Sequence, residues 1–180
     1  MIEYSELETE RLLLKPITPK IIEDLFSSKT QKKITDFFQF SEDDFQDLKL
    51  KFEKGMETFR ISFFYFLLVE KSSNQILGEC GFHTWNMSHN RADIFYSLRN
   101  DHSKNKGYMT EALKMVLQFG FQNLNLHRVQ ALVASYNIPS LKLLKKFNFT
   151  KEGIARQDYI VDGVHEDSEC HSLLKQEWQN

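Results

Sequence analysis

The spacing of apolar residues along this chain changes period several times, and each change marks an element. Leu12-Leu13-Leu14-Lys15-Pro16-Ile17 is a short apolar run of strand type, and Pro16 and Pro19 are expected to stop it. Over residues 21–28 the apolar positions are Ile21, Ile22, Leu25 and Phe26, one face of a short helix. A second helix is expected over residues 43–56, where Leu48, Phe52 and Met56 recur one turn apart. Ser41 followed by Glu42-Asp43-Asp44 suits its start, because acidic side chains complement the unpaired N–H groups there. Residues 61–70 and 76–84 read as strands joined by the polar turn 71–74. A loop through 86–90 leads to a third strand, Ala92-Asp93-Ile94-Phe95-Tyr96-Ser97-Leu98. Connections this short imply an antiparallel meander.

Beyond Leu98 the rhythm alters. A polar loop over residues 99–106 ends at Gly107, and then Met109, Ala112, Leu113, Val116, Leu117, Gly120 and Phe121 line one face of a long helix. A strand at 129–134, a helix at 138–146 and strands near 150–156 and 169–174 follow. A meander with a strand–helix–strand–helix–strand tail is a mixed α+β or α/β domain.

Composition narrows this little. The 180 residues fit one domain, 1–180, with no internal repeat, linker or low-complexity tract. A hydrophobic share of 41% and a charged share of 27% are globular values. The net charge of −2 gives no bulk attraction for nucleic acid. Residues 1–10 are polar and acidic, unlike a secretory leader. The longest apolar run, at 61–69, is too short for a membrane helix, so no membrane partner is expected. Cys80 and Cys170 lie far apart, which points to a reduced, cytoplasmic setting. The six histidines have no metal-ligand spacing, and no metal is expected.

The loop before the long helix carries the first chemical signal. A helix N-terminus presents unpaired N–H groups and the positive end of a dipole, a natural seat for an anion. Gly107 allows close backbone approach, and Lys104 and Lys106 add positive charge. Taken alone, one glycine near two lysines also describes a solvated loop. It is neither a Walker loop nor a dinucleotide fingerprint, since the spaced glycines of both are missing.

The strand 92–98 followed by Lys104-Asn105-Lys106-Gly107-Tyr108-Met109-Thr110-Glu111-Ala112 resembles the acetyl-CoA motif of the GCN5-related N-acetyltransferase (GNAT) superfamily. Three further blocks match in order. Thr9-Glu10-Arg11-Leu12-Leu13-Leu14 is similar to the opening strand of the branch that acetylates ribosomal-protein N-termini. Asn137-Ile138-Pro139-Ser140 with Lys145-Lys146-Phe147-Asn148-Phe149 resembles the family's Asn-x-x-Ser helix ending in Gly-Phe. Asp162-Gly163 and Leu173-Leu174-Lys175-Gln176-Glu177-Trp178 resemble the branch's closing segment. The resemblance implies a mostly antiparallel sheet flanked by helices and splayed where acetyl-CoA enters. It further implies acetyl transfer to a primary amine, either a protein N-terminus or a small molecule such as a polyamine, amino acid or antibiotic. A homodimer is expected because relatives often pair. Departures are plain: Lys104 stands for the usual Arg or Gln, Asn105 and Asn148 for glycines, and Met109 for a small residue. Met109 must then point away from the pyrophosphate or narrow the site, while Asn tolerates left-handed backbone well enough to keep its turn.

The same resemblance assigns Ser97, Leu98, Lys104, Asn105, Lys106, Gly107, Met109, Thr110 and Asn137 to the cofactor, with Ser97 or Leu98 offering a backbone N–H to the thioester oxygen. Direct transfer needs a base for the amine and an acid for the departing thiolate. Asp93 is the preferred base and Glu79 the second; either could equally be a salt-bridged surface carboxylate. Leu144 occupies the position where many relatives carry an acid tyrosine, so Ser140 is the acid candidate, its bland alternative being a first-turn helix residue. Asn137 is a pantetheine partner, a helix N-cap, or both. His83, His171, Trp85 and the Phe37-Phe38 pair are candidate walls of the acceptor pocket, although aromatics in such runs are usually core. Glu42, Asp43, Asp44 and Asp47 could make the acceptor groove acidic, or simply solvate a helix. Two rival readings are a non-catalytic acyl-CoA-binding module and an unrelated α+β domain.

Overall fold

The computed structural model describes residues 5–179. Residues 1–4 of the N-terminal stretch and Asn180 lie outside them. Among the described residues the strands form one eight-stranded sheet in the order β1-β2-β3-β4-β5-β6-β8-β7. The strands are β1 (Leu7–Glu8), β2 (Leu12–Ile17), β3 (Ile61–Glu70), β4 (Ile76–Asn86), β5 (Arg91–Leu98), β6 (Arg128–Ala134), β7 (Thr150–Val161) and β8 (Val164–Leu174). Helices α1 (Pro19–Ser28), α2 (Gln31–Phe38) and α3 (Glu42–Lys54) intervene between β2 and β3. Helix α4 (Tyr108–Gln122) connects β5 to β6, and α5 (Ile138–Lys146) connects β6 to β7. Strands β3 to β5 are the expected antiparallel meander, and β2 adds to it antiparallel to β3. No helix among the described residues is long and apolar enough to cross a membrane.

Alternation along β3 builds two cores, one on each face of the sheet. Phe64, Phe66 and Leu68 point to the face covered by α4, while Leu67 and Val69 point to the face covered by α1 to α3. On β5 the same alternation turns Ala92 and Ile94 into the α4 core and leaves Asp93, Phe95 and Ser97 on the opposite face.

Two details depart from expectation. Pro16 does not stop the first strand; it lies within β2, opposite Phe66. On its other side β2 pairs with β1 only at Leu13 and Leu14, so at Pro16 the missing N–H interrupts no ladder there. Pro19 opens α1 at its first turn, where Thr18 accepts a hydrogen bond from the Ile21 N–H. Helix α2 was not expected at all. Helix α3 carries the predicted start as a full capping box between Ser41 and Asp44.

The feature that positions the site is a failure of pairing. Strands β5 and β6 are parallel neighbours only from Arg91 to Asp93, against Arg128 to Gln130. Beyond Asp93 the two strands part, and Ile94 to Leu98 face an opening in the sheet.

Candidate active site

A cavity of about 490 Å³ occupies the mouth of that opening. Its lining includes Ser97 and Leu98 from β5, Lys104, Asn105 and Gly107 from the loop, Met109 and Thr110 from α4, and Asn137 and Ser140 at α5. The structure therefore gathers every residue assigned to the cofactor except Lys106. Met109 both lines the cavity and packs on the α4 core.

The loop has the backbone that an anion cradle needs. Asn105 has φ 60° and Gly107 φ 83°, both left-handed. Gly107 then opens α4, so the N–H groups of Tyr108, Met109 and Thr110 have no carbonyl one turn back to donate to. A pyrophosphate fits such a donor set. Lys104 is held by Asp101 at 2.6 Å.

Arg11 fixes this loop from outside. Its Nη1 donates to the Lys106 carbonyl at 2.9 Å, and its guanidinium lies 4.3 Å from the centre of the Tyr108 ring. Its Nε and Nη2 grip the Glu111 carboxylate at 2.8 and 2.7 Å. The Arg11 N–H and the Thr9 hydroxyl donate to the other Glu111 oxygen at 2.8 and 2.5 Å. Burial raises the Glu111 pKa, but the bonds from Thr9 and Arg11 outweigh it and hold the group below its ordinary value. The Tyr108 hydroxyl donates to Glu70, so both ends of the loop's first helical residue are tied.

Ser140 is buried, and its Oγ lies 2.6 Å from the Tyr96 hydroxyl. Asn137 caps α5 by accepting from the Ser140 N–H at 3.2 Å, which still leaves its amide N–H₂ for a ligand. Leu144 is fully buried in the α4 core. Tyr96, carried by β5, thus brings a phenol to the Ser140 hydroxyl. Sequence reasoning missed it because it read the strand for its backbone. Burial pushes the Tyr96 hydroxyl above its ordinary pKa, against the opposing effect of Ser140. Tyr96, Asp93, His83, Asn137 and Ser140 also line a second groove of about 260 Å³, between the parting strands.

The other face of β5 forms a larger pocket of about 620 Å³. Glu79 stands directly opposite Ser97 across the β4–β5 ladder, and both line this pocket. Burial raises the Glu79 carboxyl, partly offset by Arg99 and Lys51. Asp93 stands opposite His83 and lines the narrower groove instead. Gly78 holds the end of β5 close: a Cβ there would fall 2.0 Å from the Ser97 carbonyl oxygen. Of the candidate acceptor-wall residues, His83 lines the pocket, and Phe40 lines it where Phe37 and Phe38 were expected. Phe38 is wholly buried core, Trp85 packs on the α4 core, and His171 is buried beside Glu169 at 3.1 Å. Asp44 and Asp47 reach the pocket, whereas Glu42 and Asp43 do not line it. No cluster of potential metal ligands occurs among the described residues.

Known proteins resemble this chain in sequence and fold. The curated relatives include the uncharacterized N-acetyltransferase p20 of Bacillus licheniformis, 37% identical over 113 residues, which are 63% of this chain and 63% of p20. The uncharacterized N-acetyltransferase YoaA of Bacillus subtilis is 28% identical over 94% of this chain and 96% of its own length. Among solved structures, a ribosomal-protein-S5-alanine acetyltransferase from Vibrio fischeri superposes with a TM-score of 0.68 at 21% identity, covering 98% of this chain and 100% of that one; this likeness is one of fold. The family profile for the acetyltransferase (GNAT) domain matches residues 11–150, from the arginine that grips the loop to the first residue of β7, and the chain belongs to that family.

Proposed function

We propose that the chain is an acetyl-CoA-dependent N-acetyltransferase acting on a primary amine, a protein N-terminus or a small molecule. The observation that carries the reading is Ser97. It lines both the cofactor cavity and the larger pocket, so a thioester on one side and an amine on the other meet at one strand. The α4 N-terminus and the left-handed Asn105 and Gly107 would hold the pyrophosphate, with Lys104, Met109 and Thr110 around it. Asn137 would meet the pantetheine amides, and the Ser97 or Leu98 N–H the thioester oxygen.

In the reaction the amine nitrogen bonds to the thioester carbon and the C–S bond breaks. The nitrogen's proton passes to a carboxylate, and the departing sulfur takes a proton to leave as the thiol. Geometry favours Glu79 as the base, since it faces Ser97 and its raised pKa strengthens it as a proton acceptor. Asp93 in the narrower groove is the competing assignment. Ser140, its hydroxyl oriented by Tyr96, is the donor to sulfur. The free cysteines Cys80 and Cys170 accord with a cytoplasmic enzyme, and the apolar Ile154 and Ile160 exposed on β7 offer a face for a homodimer.

The test is thiol release from acetyl-CoA across a panel of amines and N-terminal peptides, with products identified by mass spectrometry. Glu79→Gln should lower kcat at least about 100-fold while leaving CoA binding intact, and Asp93→Asn should change it little. The reverse pattern would give the base to Asp93. Tight CoA binding without turnover of any amine would make the chain a binding module.

A further inference from the structure

The 620 Å³ pocket is floored by rings in cross-strand register. Tyr65 on β3 stands opposite Gly81 on β4, which stands opposite Phe95 on β5. Gly81 lacks the side chain that would separate them; a Cβ there would lie 2.2 Å from the Tyr65 Cα. The Tyr65 and Phe95 rings therefore meet edge to face, with centroids 5.7 Å apart. Phe63 extends the floor on one side, 5.9 Å from Tyr65, and His83 on the other, 5.6 Å from Phe95.

Charge in the pocket is mixed rather than acidic. Asp44, Asp47 and Glu79 face Lys51 and Arg99, three carboxylates against two cations. Asp44 is occupied by the Ser41 hydroxyl and N–H at 2.6 and 3.0 Å. The Arg99 Nη1 is anchored on the Phe38 and Gln39 carbonyls at 2.8 and 3.2 Å, which fixes a cation in the wall. A polycation would meet that fixed charge. A single ammonium would find one carboxylate, Glu79, beside the reacting strand, with aromatic faces around it that favour a cation and an apolar body alike.

We infer that the acceptor is a small monoamine carried on an apolar, preferably aromatic, body, its ammonium at Glu79 and its body on the Phe63–Tyr65–Phe95 floor. This rests on the N-acetyltransferase reading. The experiment compares 2-phenylethylamine, ethylamine, spermidine and a tetrapeptide with a free N-terminus, each by thiol release and by calorimetric binding to the CoA-loaded protein. The expected result is a kcat/KM for 2-phenylethylamine at least about tenfold above every other acceptor, one buried ring being worth a kcal/mol or more. Phe63→Ala should raise KM for 2-phenylethylamine about tenfold and leave that for ethylamine unchanged, with the thermal midpoint reporting whether the variant is folded. Spermidine or the peptide ahead of 2-phenylethylamine, in turnover or in binding, overturns the acceptor class alone. Absence of turnover with every amine overturns the acetyltransferase reading, and calorimetry then still ranks the acceptors.

Discussion

At the scale of single residues, the site is a set of short polar contacts made by side chains that alternate along one strand. Tyr96 and Ser97 are adjacent on β5 and so face opposite sides of the sheet. Ser97 looks toward the 620 Å³ pocket, and Tyr96 reaches Ser140 at 2.6 Å on the side of the opening. A half-buried phenol this close restricts the serine hydroxyl to few orientations. Tyr96→Phe removes that restraint and leaves the ring's packing in place. It should lower kcat about tenfold, the worth of one hydrogen bond, with KM for acetyl-CoA nearly unchanged. Steady-state kinetics at saturating amine checks this; an unchanged kcat would make the pair a packing contact. Glu79 adds a pH signature. Burial raises its pKa above the ordinary 4.5, so the acid limb of kcat/KM should fall off above that value and vanish in Glu79→Gln.

At the scale of elements, the clamp from β2 to α4 ties down the loop that opens α4. Arg11 reaches the Lys106 carbonyl, the Tyr108 ring and Glu111 at once. Its removal frees the loop without touching β5. Arg11→Ala should raise KM for acetyl-CoA about tenfold with kcat changed less than twofold, and Arg11→Lys should rescue little because an ammonium cannot span the carboxylate and the carbonyl together. Equal losses in kcat and KM's reciprocal would argue against a positioning role. This clamp was legible only in outline. Thr9, Arg11 and Glu111 all fell inside blocks read for their likeness to a family, but pairing across about 100 residues has no local signature. Elements with local chemistry were readable: Asn137 and Pro139 mark the start of α5, and Ser41 with Asp44 that of α3. Helix α2 was not, since Thr30 makes no side-chain cap and the first turn holds no acid. Asn148 keeps the left-handed turn expected of it at φ 59°, and Asn105 adopts the same backbone at φ 60°. Strand β8 begins at Val164, not near 169, because its first half is exposed and polar and owes its pairing to the Asp162-Gly163 turn, not to burial.

At the scale of the whole molecule, the opening between β5 and β6 makes the sheet two halves, joined by the three paired positions, by the α4 connection and by the Tyr96–Ser140 contact from β5 to α5. The distal half, β6 with β8 and β7, is braced by Arg128, which holds Glu152 at 2.5 Å across β8, while Ser172 donates to the same carboxylate at 2.8 Å. These bonds lower the Glu152 pKa from 4.5 to about 2. A depressed carboxyl contributes stability above its unfolded value and loses it as pH falls through the folded one, so part of the acid unfolding should lie between pH 4.5 and 2 and disappear in Glu152→Gln. A ligand in the opening acts on both halves at once, because its cavity is lined by β5 on one side and by Asn137, Pro139, Ser140 and Leu143 on the other. Binding to the folded chain alone then stabilises the entire sheet by mass action, about 2.7 kcal/mol at a concentration of 100 Kd. For a domain of this size each kcal/mol moves the midpoint by about 2–4 °C. CoA at that excess should therefore raise the thermal midpoint by about 5–11 °C in a single transition, and Arg11→Ala should shrink the rise at equal CoA. A midpoint that moves by less than about 1 °C in millimolar CoA would leave the opening without the ligand its geometry fits.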